Sequence, residues 1–400
     1  MTKKINFDDS YEHFKTLISQ QEDRIKKIET AGDWIDFENK TPIVVGVCFG
    51  DGIGELICKQ TLDILTVLLK EELASGKIEI KTIEGLTIEN RVKHKQAIPS
   101  DVLAEIKTCD VLLKGPTTTP QRGGPWPNIE SANVSMRREL DLFANIRPVK
   151  VPEKNIEWYF FRENTEGEYV LGSQGLTFDD FCVDFKVTTR VGKERICRAA
   201  FEFAKRNNKK RVTIVTKSNI MKATDGLFSE VANQVAKEYE SYSITCDEYY
   251  IDVMTANLIN EQEASKFEVM VLPNLYGDIL TDQAGQIQGG VGTAGSANIG
   301  KRYSMFEAIH GSAPRLIEEG LGDYANPASI MRAACQMLDH IGFHEKARRF
   351  EYALDITSIY EKQVVVDPKT KTKAFEYTQY VLSWLERDDL ETIWKYYTKS

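Results

Sequence analysis

The chain has 400 residues, 42% hydrophobic and 28% charged, with a formal net charge of -9. That composition suits a globular protein with apolar material for a sizeable core, and no apolar run approaches the ~18 residues that a membrane span needs. The acidic balance argues against a nucleic-acid partner, which wants a basic surface, but not against an anionic small molecule, because a few arginines in one cleft override the global sign locally.

In chain order, the first residues, MTKKINFDDSYEHF, lack an apolar signal core and carry Asp8, Asp9 and Glu12, which a mitochondrial transit peptide would avoid, so the cytoplasm is the expected compartment. Phe14, Leu17, Ile18, Ile25 and Ile28 fall near helical spacing and predict a helix over 9–30, read as a packing or oligomer-contact element. A strand is predicted over 43–49, ending at Gly50-Asp51-Gly52-Ile53-Gly54, with a helix over 58–69 after it. That glycine run invites a dinucleotide-binding reading. Its spacing is wrong, because the fingerprint needs two residues between its second and third glycines, and a tight strand-to-helix turn explains it better. Further strands are expected over 110–114, 212–216 and 269–273, each leading into a polar or glycine-bearing turn. Strands alternating with helices argue for α/β architecture, whose active sites lie beyond the carboxyl ends of the strands. The cysteines at 48, 58, 109, 182, 197, 246 and 335 are scattered and form no CxxC pair, which reads as reduced thiols rather than a disulfide framework or zinc site.

Several of those turns carry chemistry-bearing clusters. A helix starting near Ser131 presents Ser131 or Asn133 at its positive end, and Arg137, Arg147 and Arg162 come from successive elements, as clamping a multiply charged carboxylate requires. The competing reading of that segment is a solvated helix face with Glu139 and Asp141 as ion-pair partners. Asp278 and Asp282 stand four apart and share a helix face, where a hard divalent cation would relieve their repulsion. Alternatively they are exposed acids near a helix start. Asp252 follows another strand end and is a third candidate ligand or base. Lys217 lies directly after a strand, and alone it reads as an exposed lysine. His310 sits in a loop rich in small residues that admit a ligand close to backbone, against the ordinary reading of a structural histidine.

Taken together and in order, GDGIG, LKGP with TTTP, S-N---R, LDLFANIRP, RENTEGEY, TKSNIMK with TDGLF, NLYGDILTD, ANIG, FEAIHGSAP and ANP resemble the β-decarboxylating dehydrogenase family of isocitrate, 3-isopropylmalate and homoisocitrate dehydrogenases. The resemblance implies that family's own α/β fold, not the Rossmann fold, with a large and a small domain and a cleft between. The large domain would comprise 41–142 plus 289–400, and the small domain 143–288 with the dimer contact; the extension 1–40 has no recognised counterpart. It further implies that Ser131, Asn133, Arg137, Arg147 and Arg162 bind substrate. Tyr169 and Lys217 would form the acid–base pair, with Asp252 as an alternative base. Asp252, Asp278 and Asp282 would hold Mg²⁺ or Mn²⁺. Thr119, Asn219, Glu307, His310, Gly311, Ala313, Arg315 and Asn326 would surround the nicotinamide cofactor. In this family the lysine and one aspartate reach into the partner's site, so a homodimer with shared active sites is expected, a higher oligomer being compatible.

The activity implied is oxidative decarboxylation of isocitrate, a tricarboxylate, to 2-oxoglutarate. Ser131 and Asn133 favour that substrate, since they offer hydrogen bonds to a carboxylate where isopropylmalate wants apolar contact. Homoisocitrate and 3-isopropylmalate are the alternatives, as is a non-catalytic regulatory subunit. NAD is the expected cofactor, with NADP as the alternative: Arg315-Leu316 follows HGSAP where NAD enzymes carry Asp and NADP enzymes Lys-Tyr, and Val366 and Thr370 fall where NADP enzymes carry Tyr and Arg. The loop 121–130, with Trp126 between two prolines, is long and adjoins both sets of positions, which suits a gate.

Overall fold

The computed structural model describes residues 7–120, 123–171, 174–290 and 294–399, so Gln121 and Arg122 of the loop at 121–130 lie outside the described residues. Its strands are β1 (Ile43–Cys48), β2 (Ile78–Ile83), β3 (Val111–Lys114), β4 (Ala144–Val151), β5 (Ile156–Glu163), β6 (Leu176–Thr177), β7 (Cys182–Val183), β8 (Arg211–Thr216), β9 (Thr245–Tyr250), β10 (Val269–Leu272), β11 (Gly295–Ile299) and β12 (Ser304–Ala308). The chain forms two compact units. One comprises Met1–Asp33, Phe143–Ile146 and Glu153–Ala284, and the other Trp34–Leu142, Arg147–Pro152 and Gly285–Ser400. Among the described residues no helix is long and apolar enough to cross a membrane.

The second of these units has the strand order β2-β1-β3-β12-β11. β1 runs parallel to β2 and β3, β3 parallel to β12, and only β11 with β12 is antiparallel. Strands covered on both faces read as unbroken apolar runs, which is why 43–49 was legible: Val45, Val47 and Cys48 have no exposed surface. The helix Ala328–His340 packs on β3, β11 and β12 and buries most of its length. The glycine turn after β1 is a packing device. Gly50 and Gly52 take left-handed φ of 72° and 58°. A Cβ on Gly50 would sit 2.1 Å from the Pro116 carbonyl oxygen, and one on Gly52 2.0 Å from that of Ser312. The turn therefore locks the KGP and HGSAP segments to the start of the helix Gly54–Leu68.

The other unit has the order β5-β10-β8-β9, all parallel. β5 buries Trp158, Phe160 and Phe161, and the Trp158 indole N–H donates to the Ala264 carbonyl at 2.9 Å. The helix Arg190–Arg206 lies on β5, β8 and β10, and the helix Phe7–Glu29 packs on that helix in turn. The predicted N-terminal helix is present, but its buried face is narrower than its periodicity suggests. Leu17 and Ile28 are buried, whereas Phe14 and Ile18 are exposed. β6 and β7 form a separate antiparallel ribbon.

Candidate active-site groups

The helix Asn274–Ile287 begins two residues after β10 and carries Asn274, Asp278 and Asp282 on successive turns. Arg162, the penultimate residue of β5, reaches across its first turn and is 1% exposed. Its Nε and Nη2 donate to Asn274 Oδ1 at 3.0 and 2.7 Å, and its Nη1 donates to Asp278 Oδ1. Gly277 makes this crossing feasible, since a Cβ there would lie 2.5 Å from Arg162 Cγ. The Tyr169 hydroxyl donates to the other Asp278 oxygen at 2.9 Å, and the guanidinium carbon stands 5.6 Å from the Tyr169 ring centroid. Burial, the Asp278 charge and that hydrogen bond push the Tyr169 phenol up to about 12. The phenol therefore keeps its proton at neutral pH.

Nothing basic lies between Asp278 and Asp282 in the chain, and Arg162 arrives laterally from β5 to pair with Asp278. Asp282, one turn on, is exposed. The donors at 278 and 282 are all carboxylate oxygens, which fit a hard divalent cation. Lys217 Nζ, just after β8, lies 2.5 Å from Asp252 Oδ1 in the first turn of the helix Ile251–Ile259. The lysine hydrogen bond holds the Asp252 carboxyl below its ordinary range. Among the described residues no three His, Cys, Asp or Glu side chains converge as a metal-binding group, so a single chain does not unite Asp252 with Asp278 and Asp282. Asn219 is exposed in the turn beyond Lys217.

The supporting residues of this unit were not foreseen. RENTEGEY alone reads as a polar turn, but two of its glutamates are fully buried. Glu163 accepts the backbone N–H groups of Thr165 and Glu166. Glu166 pairs with Lys193 at 2.8 Å and Arg24 at 3.0 Å. Burial opposes its charge, but those two cations hold its carboxyl down to about 2. Asp225 accepts the Lys217 backbone N–H at 2.8 Å and pairs with Lys186 at 2.6 Å, fixing the start of the Lys217 turn. A buried acid has no periodic signature, which is why these stayed hidden.

In the other unit, Ser131 stands at the N-cap of the helix Ala132–Glu139 in extended conformation, without capping it through its side chain. Instead Thr119 Oγ1 donates to Ser131 Oγ at 3.3 Å, and Thr117 Oγ1 to Asn133 Oδ1 at 3.1 Å, so the TTTP turn and the helix start form one hydroxyl-rich surface. Asp51 orders that turn by accepting the N–H of Thr118 at 2.6 Å, and also that of Ile88 at 2.7 Å. Arg137 pairs not with Glu139 or Asp141 but with Glu307, at 3.3 Å. Glu307 also meets Lys114 at 3.2 Å and accepts from Asn298 at 2.9 Å. Burial opposes its charge, but Lys114 and Arg137 hold it down to about 2. Arg147 is buried in β4.

His310 Nδ1 lies 3.1 Å from the Gly311 carbonyl, while its buried Nε2 has no hydrogen-bond partner, an orphan that suits a polar ligand. Burial moves this imidazole down from its ordinary range. Ala313 takes a left-handed φ of 42° before the helix Pro314–Glu318. Arg315 is 86% exposed and pairs with Glu319. Asn326 Oδ1 accepts the Ala328 N–H at 2.9 Å at the start of the helix Ala328–His340, so it has a local structural role whatever else it contacts.

Residues 44–380 match the family model for isocitrate/isopropylmalate dehydrogenase. The chain belongs to this family. Its fold is that of the family as well: a crystal structure of isocitrate dehydrogenase from Methylococcus capsulatus superposes with a TM-score of 0.74 at 31% identity, covering 86% of this chain and 99% of that one. An isocitrate dehydrogenase (NADP) of Rickettsia bellii is 42% identical over 78% of this chain and 62% of its own length, so the chain spans about three fifths of that relative. A homoisocitrate dehydrogenase of Methanocaldococcus jannaschii is 35% identical over 84% of this chain and 97% of its own length. Members of this family use a nicotinamide cofactor and a divalent metal.

Proposed function

We propose that the chain is a metal-dependent isocitrate dehydrogenase, working as a homodimer with shared sites, that converts isocitrate to 2-oxoglutarate and CO₂ while reducing a nicotinamide cofactor. The observation that carries this reading is the Arg162–Asp278–Tyr169 group, which sets a carboxylate for a metal beside a phenol that stays protonated at neutral pH.

Each residue then has a role. Arg137, Arg147 and Arg162 bind substrate carboxylates, guanidinium being suited to bidentate recognition. Ser131 and Asn133 read the third carboxylate, which an isopropyl group cannot replace without leaving them unpaired. A divalent cation on Asp278 and Asp282, with the partner's Asp252, would acidify the substrate hydroxyl and stabilise negative charge as CO₂ leaves. The partner's Lys217–Asp252 pair takes up the hydroxyl proton as hydride departs from C2, and Tyr169 delivers a proton to the carbon that has lost CO₂. Thr119, Asn219, Glu307, His310, Gly311, Ala313, Arg315 and Asn326 stand around the cofactor. NAD is favoured over NADP because Val366 and Thr370 supply no phosphate clamp.

Homoisocitrate is the second reading, favoured by the near-complete coverage of the Methanocaldococcus relative. A non-catalytic subunit would be expected to have lost metal or proton-transfer groups, and this chain keeps them all. The test mixes protein, Mg²⁺ or Mn²⁺, each of isocitrate, homoisocitrate and isopropylmalate, and NAD or NADP, and follows the absorbance of reduced cofactor. Isocitrate with NAD is expected to be fastest. Silence with every substrate and cofactor would remove the dehydrogenase reading.

A further inference from the structure

The helix Phe7–Glu29 lies before the start of the family match at 44, yet one of its side chains enters the framework of the RENTEGEY loop. Arg24 Nη1 donates to Glu166 Oε1 at 3.0 Å, and Arg24 Nη2 to Thr165 Oγ1 at 3.1 Å. Its side chain is only 19% exposed, and that of Glu166 is fully covered. Glu166 has been given a close approach to the neighbouring helix too, because a Cβ at Gly192 would lie 2.1 Å from Glu166 Oε1.

From this anchor an unbroken set of hydrogen bonds runs to Tyr169, all within one unit. The backbone carbonyl of Glu166 accepts from Asn274 Nδ2 at 3.0 Å. Asn274 Oδ1 accepts two bonds from Arg162. Arg162 pairs with Asp278, and Asp278 accepts from Tyr169. Loops that carry reacting groups need a rigid support, and a displacement of about 1 Å at the reacting atoms can cost on the order of 10²-fold in rate.

The geometry points to Arg24 as a positioning residue: through Glu166 and Thr165, the N-terminal helix holds the loop that sets Arg162 and Tyr169 against Asp278. Arg24 touches no reacting atom. Lys193 also neutralises Glu166, so removal of Arg24 does not strand a buried charge, and the fold is expected to persist without it. Thr165 keeps a second donor in Arg195, at 2.9 Å, so the loop loosens rather than unravels.

This inference rests on the proposed activity, but one arm of its test does not. Four proteins are compared well below their unfolding temperatures: wild type, Arg24→Ala, Arg24→Lys and Leu17→Ala. The last removes a buried apolar contact of the same helix and leaves Arg24 in place. In the activity arm, Arg24→Ala lowers kcat about tenfold while KM changes less than about threefold. Arg24→Lys recovers most of the loss, and Leu17→Ala keeps wild-type kcat despite a lower Tm. In the exchange arm, amide hydrogen exchange at residues 163–169 quickens in Arg24→Ala only. Wild-type kcat and exchange in Arg24→Ala overturn the inference, as does an equal loss in Leu17→Ala. A wild-type protein without turnover defeats the proposed function instead, and the exchange arm still decides the role of Arg24.

Discussion

At the scale of single residues, Asp278 bears the most. Its carboxylate faces the buried Arg162 guanidinium and the Tyr169 hydroxyl together. Asp278→Asn keeps the size of the side chain but leaves one acceptor oxygen for two donors and removes the negative charge, so its hold on a cation weakens. The expected result is loss of Mn²⁺ binding, read by electron paramagnetic resonance of the free ion, with an unchanged circular dichroism spectrum. Wild-type Mn²⁺ affinity in that variant removes Asp278 from the metal set. Tyr169→Phe tests the other partner. The phenol holds its proton because burial and Asp278 disfavour the phenolate, and removing a positioned acid typically lowers rate by about 10²–10⁴-fold. The loss is expected in kcat with isocitrate, with KM within a few-fold. A kcat equal to wild type would falsify the acid role.

At the scale of elements, the helix Asn274–Ile287 is placed by what its first turn omits. Gly277 has no side chain where Arg162 crosses, and any Cβ would overlap the arginine stem. Gly277→Ala is therefore expected to shift Arg162 and to cost on the order of 1–3 kcal/mol, the range for overpacking a tight interior. A fall in the urea midpoint with an unchanged slope measures it, and KM for isocitrate should rise because Arg162 is a proposed substrate ligand. That Asp278 and Asp282 lie a turn apart on one helix was legible from their spacing alone, as were the strands 43–49, 212–216 and 269–273, because apolar runs and i, i+4 spacings are local patterns. Arg162 beside Asp278, Glu307 beside Arg137 and Arg24 beside Glu166 were not legible. Each joins residues more than a hundred apart in sequence, where periodicity carries no information. The resemblance supplied the family's positions in advance, but not the bonds between them. It also offered nothing for the helix Phe7–Glu29, which lies outside the family match.

For the whole molecule, the buried ionisable groups set how stability depends on pH. His340 is partly buried, its Nε2 lies 2.8 Å from Ser304 Oγ, and that burial lowers its imidazole to about 4 from an ordinary 6.5. The unfolded chain takes up a proton at this position near pH 6.5 and the folded chain only near pH 4. Stability is then highest above 6.5 and falls as pH drops through that window. Glu166 and Glu307 are held at about 2 against an ordinary 4.5, so their contribution is present above 4.5 and is lost between 4.5 and 2. By linkage, Glu307 alone accounts for about 3 kcal/mol, at 1.36 kcal/mol for each unit of pKa. Acid weakening should therefore come in two overlapping stages, measured as urea midpoints between pH 7 and 3. His340→Gln keeps a polar partner for Ser304 without a proton to gain, and it should reduce the first stage to the part that the lowered His310 imidazole contributes while leaving the second. The second stage belongs to two carboxylates that anchor proposed site residues, Glu307 through Arg137 and Glu166 through the turn before Tyr169. Substrate affinity is thus expected to fail together with stability below pH 4.5, whereas in the His340 window the protein loses stability without losing affinity. A wild-type midpoint unchanged from pH 7 to 5 would show that His340 does not remain neutral in the folded state.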